Sequence, residues 1–173
     1  MKTLYIVRHA KSSWDHPGLE DYQRPLLEKG KKRTKYVIDY LQKQKVKPDL
    51  ILSSHAERAK ETARIIAAAL GYPEHEIIIS KEIYFGNTDG LFNHFYDLSN
   101  QVNSLMMVGH NPTMTNFANY FLDNKIDNLP TSGVVCIEFD TDMWENVLQA
   151  SRKTKFSISP KLLKDRLARK GKK

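Results

Sequence analysis

The 173-residue chain lacks several features that would redirect its reading. Cys136 is the single cysteine, so no disulfide can form within the chain and no multi-cysteine zinc site can be built. It lies in an apolar run, where a core position is expected rather than a reactive thiol. No hydrophobic run is long enough to cross a membrane. The one nearest the N-terminus, residues 4–7, is broken at once by Arg8 and His9 and is too short for a secretory signal, which predicts a cytoplasmic protein without a membrane span. Composition shows no bias: 40% hydrophobic and 27% charged residues are near globular averages and exclude a disordered, repetitive or fibrous chain. A chain of this length buries most of its apolar surface as one domain, without disulfides or a structural metal.

The net charge of +7 is localised. Lys161, Lys164, Arg166, Arg169, Lys170, Lys172 and Lys173, set against Asp165, supply nearly all of it. No aromatic-studded basic stripe occurs elsewhere, so specific nucleic-acid binding is not expected. Leu162, Leu163 and Leu167 interleave with these charges after Pro160, the pattern of a short, solvated amphipathic helix. The predicted organisation is one domain over residues 1–160 followed by a basic tail or short helix over 161–173.

What is present is an alternation. Runs at 4–7, 50–52, 77–79 and 105–108 are aliphatic-rich without polar alternation, which predicts strands buried on both faces of a mostly parallel sheet. Between the first two, Gly30, Thr34, Val37, Ile38 and Leu41 recur at helical spacing over 28–44. After the second, Ala59, Thr62, Ala63, Ile66, Ala67 and Leu70 mark a helix stopping at Gly71. Asn111 and Pro112 predict a capping residue and first-turn proline for a helix to about Leu122. The runs 134–139 and 147–158, separated by Asp140, Thr141 and Asp142, predict an antiparallel hairpin at one sheet edge. The order specifies an α/β fold, a three-layer α/β/α sandwich around a mixed, mostly parallel sheet, with ligands expected beyond the carboxyl ends of the strands.

Three strands deliver chemistry to that edge. Arg8 and His9 follow the first, in Arg8-His9-Ala10-Lys11-Ser12. After the second, Ser54 and Glu57 have capping-box spacing and place Arg58 just past the first three residues of the next helix. The bland alternative makes Arg58 a surface residue paired with Glu57 or Glu61. His110 ends the fourth strand beside a helix N-terminus, whose outward N–H groups attract phosphate. Two guanidiniums and two imidazoles around one point suit a dianionic phosphoryl group.

With these residues in view, Arg8-His9-Ala10 resembles the Arg-His-Gly signature of the histidine phosphatase superfamily, which includes the phosphoglycerate mutases. Ser54 to Ala63, as Ser-x-x-x-Arg-Ala-x-x-Thr-Ala, resembles its second motif, and Gly109-His110 its third. Arg24-Pro25-Leu26, Gly30 and His110-Asn111-Pro112 are similar to the small SixA-type branch, the phosphohistidine phosphatases, over about residues 1–165. Ala10 stands in place of the superfamily glycine, and His55 where proline is common.

The resemblance implies a phosphoglycerate mutase-like fold and a phosphatase with no cofactor and no metal. It makes His9 the nucleophile and has Arg8, Arg58 and His110 hold the phosphoryl oxygens. Ser12, Asp15, Asp21 and Glu82 are secondary candidates, the three carboxylates as acids or water-positioning groups. The lack of an assignable general acid favours phosphohistidine, whose imidazole leaving group takes up a proton near neutral pH. The expected partner is therefore a phosphorylated signalling or phosphotransfer protein. The rivals are a phosphomonoesterase or mutase for small phosphate esters, and a phosphate-binding or docking module without turnover.

Overall fold

A computed structural model describes residues 1–172. Strands and helices alternate as β1 (Lys2–Arg8), α1 (Glu28–Lys43), β2 (Leu50–Ser54), α2 (Glu57–Leu70), β3 (Ile78–Ser80), two short helices α3 (Glu82–Phe85) and α4 (Thr88–Asn93), then β4 (Ser104–Gly109) and α5 (Thr113–Phe121). The chain closes with β5 (Val134–Phe139), β6 (Arg152–Ile158) and α6 (Pro160–Lys170). The strands form one sheet in the order β3-β2-β4-β1-β5-β6. The first four are parallel, and β5 and β6 antiparallel.

Because successive side chains on a strand point to opposite faces, the central strands feed two cores. Leu4, Ile6, Met107 and Ile137 pack with Phe117 and Phe121 of α5 and with Leu91 of α4. Tyr5, Val7, Met106, Val108 and Cys136 pack with Val37 and Leu41 of α1, Ala63 and Ile66 of α2, and Leu163 of α6. This is the three-layer sandwich the apolar runs predict, and Cys136 is buried as expected.

Three elements differ from the sequence reading. The third strand is not covered on both faces: β3 is an edge strand, and Ile78 and Ile79 are about half exposed. The last strand begins at Arg152, not Val147, because a single turn of 3-10 helix at Trp144–Asn146 carries Trp144 and Val147 into the core ahead of it. The fifth helix starts at Thr113, one residue beyond Pro112, with Asn111 Oδ1 accepting from the Thr115 N–H (3.2 Å) and hydroxyl (2.8 Å). The hairpin of β5 and β6 does form the opposite edge.

Gly71 ends α2 in the left-handed conformation (φ 72°), where a side chain would be strained. Gly30 serves a different need. A Cβ there would sit 2.4 Å from the Lys11 carbonyl oxygen, so the glycine lets α1 approach the loop that follows β1. The basic C-terminal segment is a helix over most of its length. Ser159 Oγ accepts from the Leu162 N–H, Pro160 occupies the first turn, and Leu163 is buried against the α1 side of the sheet. No helix among the described residues is long and apolar enough to cross a membrane.

Candidate active site

The site forms at the carboxyl edge of β1, β2 and β4, the central parallel strands. The residues after β1 are held by backbone contacts on both sides. His9 N–H donates to the Gly109 carbonyl (3.0 Å), and the Ala10 N–H donates to Thr62 Oγ1 (2.9 Å). The Thr62 hydroxyl in turn donates to the Arg58 carbonyl (2.7 Å), so one buried hydroxyl ties the His9 loop to the first turn of α2. The close approach permitted by Gly30 fixes the other side of the same loop.

His9 is 7% exposed, and its Nδ1 lies 2.7 Å from the Ala10 carbonyl. A carbonyl can only accept, so Nδ1 carries the proton and Nε2 keeps its lone pair. Burial lowers the His9 pKa to about 3, and the guanidiniums of Arg58, Arg8 and Arg24 press it the same way against the opposing Ala10 hydrogen bond. His110 lies alongside, its ring centroid 5.1 Å from that of His9. Burial, then His9 and Arg58, lowers its pKa to about 2. His110 Nε2 is 2.7 Å from Ser54 Oγ, which accepts the Ala56 N–H and can donate its own proton to the imidazole. Nδ1 of His110 is then a donor, and it has no partner among the described residues.

Arg58 is 5% exposed and does not pair with Glu57 or Glu61, which bind Lys60 and Lys31 instead. Its Nη1 donates to the Asp21 carbonyl (2.7 Å) and its Nη2 to Asp21 Oδ2 (2.9 Å). The expected capping box is absent. Ala56 is the cap, Ser54 turns to His110, and Arg58 is the second residue of α2 rather than one beyond the third. The expected outward N–H groups of α5 are likewise partly used: Met114 N–H donates to the His110 carbonyl and Thr115 N–H to Asn111. Arg8 donates through Nη1 to the Leu129 carbonyl (3.0 Å), leaving Nε buried without a partner among the described residues, as is Nε of Arg58.

The four principal residues of the sequence reading thus line one cavity of about 570 Å³. Ser12, Asp15 and Asp21 also line it. Glu82 does not: its side chain is 68% exposed and faces His94 Nε2 at 3.6 Å, because α3 turns it away from the cavity. Asp21 acts as an anchor. It holds Arg58, receives Arg24 Nε (3.1 Å) and accepts the Tyr84 hydroxyl (2.6 Å). Burial alone would raise its pKa, but the Tyr84 and Arg58 hydrogen bonds and the charges of Arg58 and Arg24 prevail and bring it to about 2.

Sequence reasoning passed over Lys11, Trp14, Arg24, Arg33 and Thr131 in the cavity wall and Tyr84 beside it. Arg24 is 8% exposed, and its guanidinium stacks 3.4 Å from the ring centroid of the exposed Trp14. The Arg24-Pro25-Leu26 motif was a signal for this arginine. For Tyr84 and Trp14 no spacing in the sequence points to the site. His55, at the position where proline is common, lies between the rings of Tyr22 and Phe85, with centroids 5.5 and 5.4 Å away.

The family model for the histidine phosphatase superfamily (branch 1) matches residues 4–99. An uncharacterised chloroplast protein of Arabidopsis thaliana is 28% identical over 158 residues, 87% of this chain and 72% of its own. The adenosylcobalamin/alpha-ribazole phosphatase of Salmonella typhimurium is 31% identical over 100 residues, and the match spans 57% of this chain but 48% of that enzyme. Among solved structures, a proposed phosphohistidine phosphatase, SixA, of Agrobacterium tumefaciens superposes with a TM-score of 0.71 at 29% identity, covering 79% of this chain and 91% of its own.

Proposed function

Because the chain belongs to the histidine phosphatase superfamily, we propose that it is a phosphatase working through a phosphohistidine intermediate on His9, with phosphohistidine of a phosphotransfer or signalling protein as substrate. The observation that carries this reading is the state of His9. Its Nδ1 proton is fixed on the Ala10 carbonyl, and burial among three arginines keeps the ring neutral, so Nε2 is a ready nucleophile.

Nε2 of His9 attacks phosphorus in line. The substrate's ring, protonated from solvent at its other nitrogen, leaves as neutral imidazole when its bond to phosphorus breaks. Water then attacks phospho-His9, releasing phosphate and restoring the neutral ring. Arg8, Arg58 and His110, which line the cavity, hold the nonbridging oxygens. The arginines supply the charge stabilisation without a metal or cofactor.

The leaving group decides the substrate class. Asp21 is committed to two arginines and a tyrosine with its pKa near 2, and Glu82 lies outside the cavity, so neither is a proton donor for an alkoxide. Imidazole needs little help, because it protonates near neutral pH. Asp15, exposed on the cavity wall, favours a second reading, a phosphatase for small phosphate esters with Asp15 as the acid.

The test is release of phosphate from a phosphohistidine carrier protein and from simple monoesters, with and without chelator, by wild type and His9→Ala. Release from the carrier in chelator, lost in His9→Ala, is the expected result. Preference for monoesters, abolished by Asp15→Asn, would move the assignment to the second reading. Phosphate binding without turnover on either substrate would make the chain a docking module.

A further inference from the structure

A second cavity, of about 740 Å³, lies between α1 and α6 and adjoins the active-site cavity at Arg33 and Thr131, which line both. Its walls carry Lys29, Lys32, Arg33 and Lys35 from α1 and Lys161 and Lys164 from α6. Among the described residues, none of these six cations forms an ion pair. Unpaired cations crowded along a groove repel one another, an arrangement that a negatively charged partner relieves.

The two helices run side by side away from the active-site edge. α1 starts where Gly30 meets the Lys11 loop, and α6 follows Ile158, which lies across β5 from the end of β1. On α1, charge changes sign along this direction: four cations precede Asp39, which lies about 9 Å beyond Arg33 at the helical rise. On α6, Asp165 follows Lys161 and Lys164. Within the groove a uniformly anionic chain such as a polyphosphate or nucleic acid would run from the cations onto these two carboxylates, the further cations Lys43, Arg166, Arg169 and Lys170 lying outside the groove lining. A polypeptide whose acidic residues sit close to the phosphorylated side chain would meet the cations alone. Tyr36, Pro130 and Pro160 give the floor apolar surface suited to peptide backbone and aliphatic side chains.

We propose that the α1–α6 groove docks an acidic segment flanking the phosphorylated residue of a protein substrate. This rests on the phosphatase reading above and gives the basic C-terminal helix a role in substrate choice. Encounter is then steered by charge and weakens with salt.

The test uses the full chain and two peptides carrying a non-hydrolysable phosphohistidine mimic, one flanked by glutamates and the other by glutamines. Wild type is expected to bind the acidic peptide at least about tenfold more tightly, and Lys32→Glu/Lys164→Glu to lose about tenfold on that peptide alone, from two exposed ion pairs. Lys32→Gln/Lys164→Gln should show an intermediate loss, which guards against a fold defect. Hydrolysis of phosphoimidazole should be unchanged in both variants, since neither residue lines the active-site cavity. Equal binding of both peptides by wild type, or equal losses on both in the variants, overturns the proposal, as does inorganic polyphosphate outcompeting the acidic peptide. If wild type does not hydrolyse phosphoimidazole yet keeps its charge preference, the phosphatase reading fails and the docking groove stands.

Discussion

The two ends of β1 both bury cations, and they do so in opposite ways. At the start, Lys2 is fully buried, and its Nζ donates to the carbonyls of Asn100 (2.7 Å) and Val102 (2.9 Å) and to Asn103 Oδ1 (3.1 Å). Every proton of that ammonium has an acceptor. At the other end, Arg8 Nε, Arg58 Nε and His110 Nδ1 are buried without partners among the described residues. Native proteins rarely leave buried polar groups unmatched, so a cation fully matched within the fold stands against a cluster at the cavity that is not. Lys2 holds the strand to the loop before β4, and under the proposed function the arginines of the far cluster hold charge for an anion.

Substitutions on each end can break that contrast. The largest effect should come from Arg58→Ala, lowering kcat/KM by about 10²–10³ as for loss of one donor to a developing oxyanion. Thermal or urea unfolding should register a cost of only about 1–2 kcal/mol. Lys2→Met should invert the pattern. It leaves the Asn100 carbonyl and Asn103 Oδ1 without a donor, while the Val102 carbonyl keeps the Trp144 Nε1–H, at a cost of about 1–3 kcal/mol, with kcat/KM unchanged within about twofold. If Lys2→Met damaged kcat as much as Arg58→Ala does, the two ends would not be separable. Thr62→Val sits between them, because its hydroxyl serves both fold and site. It should strand the buried Ala10 N–H, cost about 1–3 kcal/mol, and lower kcat about tenfold by loosening the loop that holds His9.

The same contrast explains what could be read in advance. Apolar runs, helical spacing and strand-end placement of Arg8, His9, Arg58 and His110 are properties of neighbours along the chain, and they carried the three-layer fold and the four principal residues. The pairing of Asp21 with Arg58 spans 37 positions, and Tyr84 reaches Asp21 across 63. No local pattern encodes such contacts. Ser54 shows how a local rule loses: its capping-box spacing was satisfied, but the hydroxyl instead served Ala56 and His110, a partner 56 residues away. The edge position of β3 escaped for a related reason, since an aliphatic run does not say whether a neighbouring strand lies on both sides.

The smallest expected effect is a missing one. An imidazole whose folded pKa lies near 3 or 2, below the ordinary value near 6.5, stays neutral on acidification, so the ring resonances of His9 and His110 should hold their neutral positions from pH 8 to pH 5. The consequence for stability has a definite sign. The unfolded chain binds protons on these rings below about pH 6.5 while the folded chain does not, so their contribution is present above that pH and drains away as pH falls toward 3. Wild type should therefore lose more of its Tm between pH 7 and pH 4 than His9→Ala/His110→Ala does. Titration of His9 near pH 6.5 would mean that the site tolerates an imidazolium beside its arginines, and burial could no longer be what keeps the nucleophile neutral below that pH.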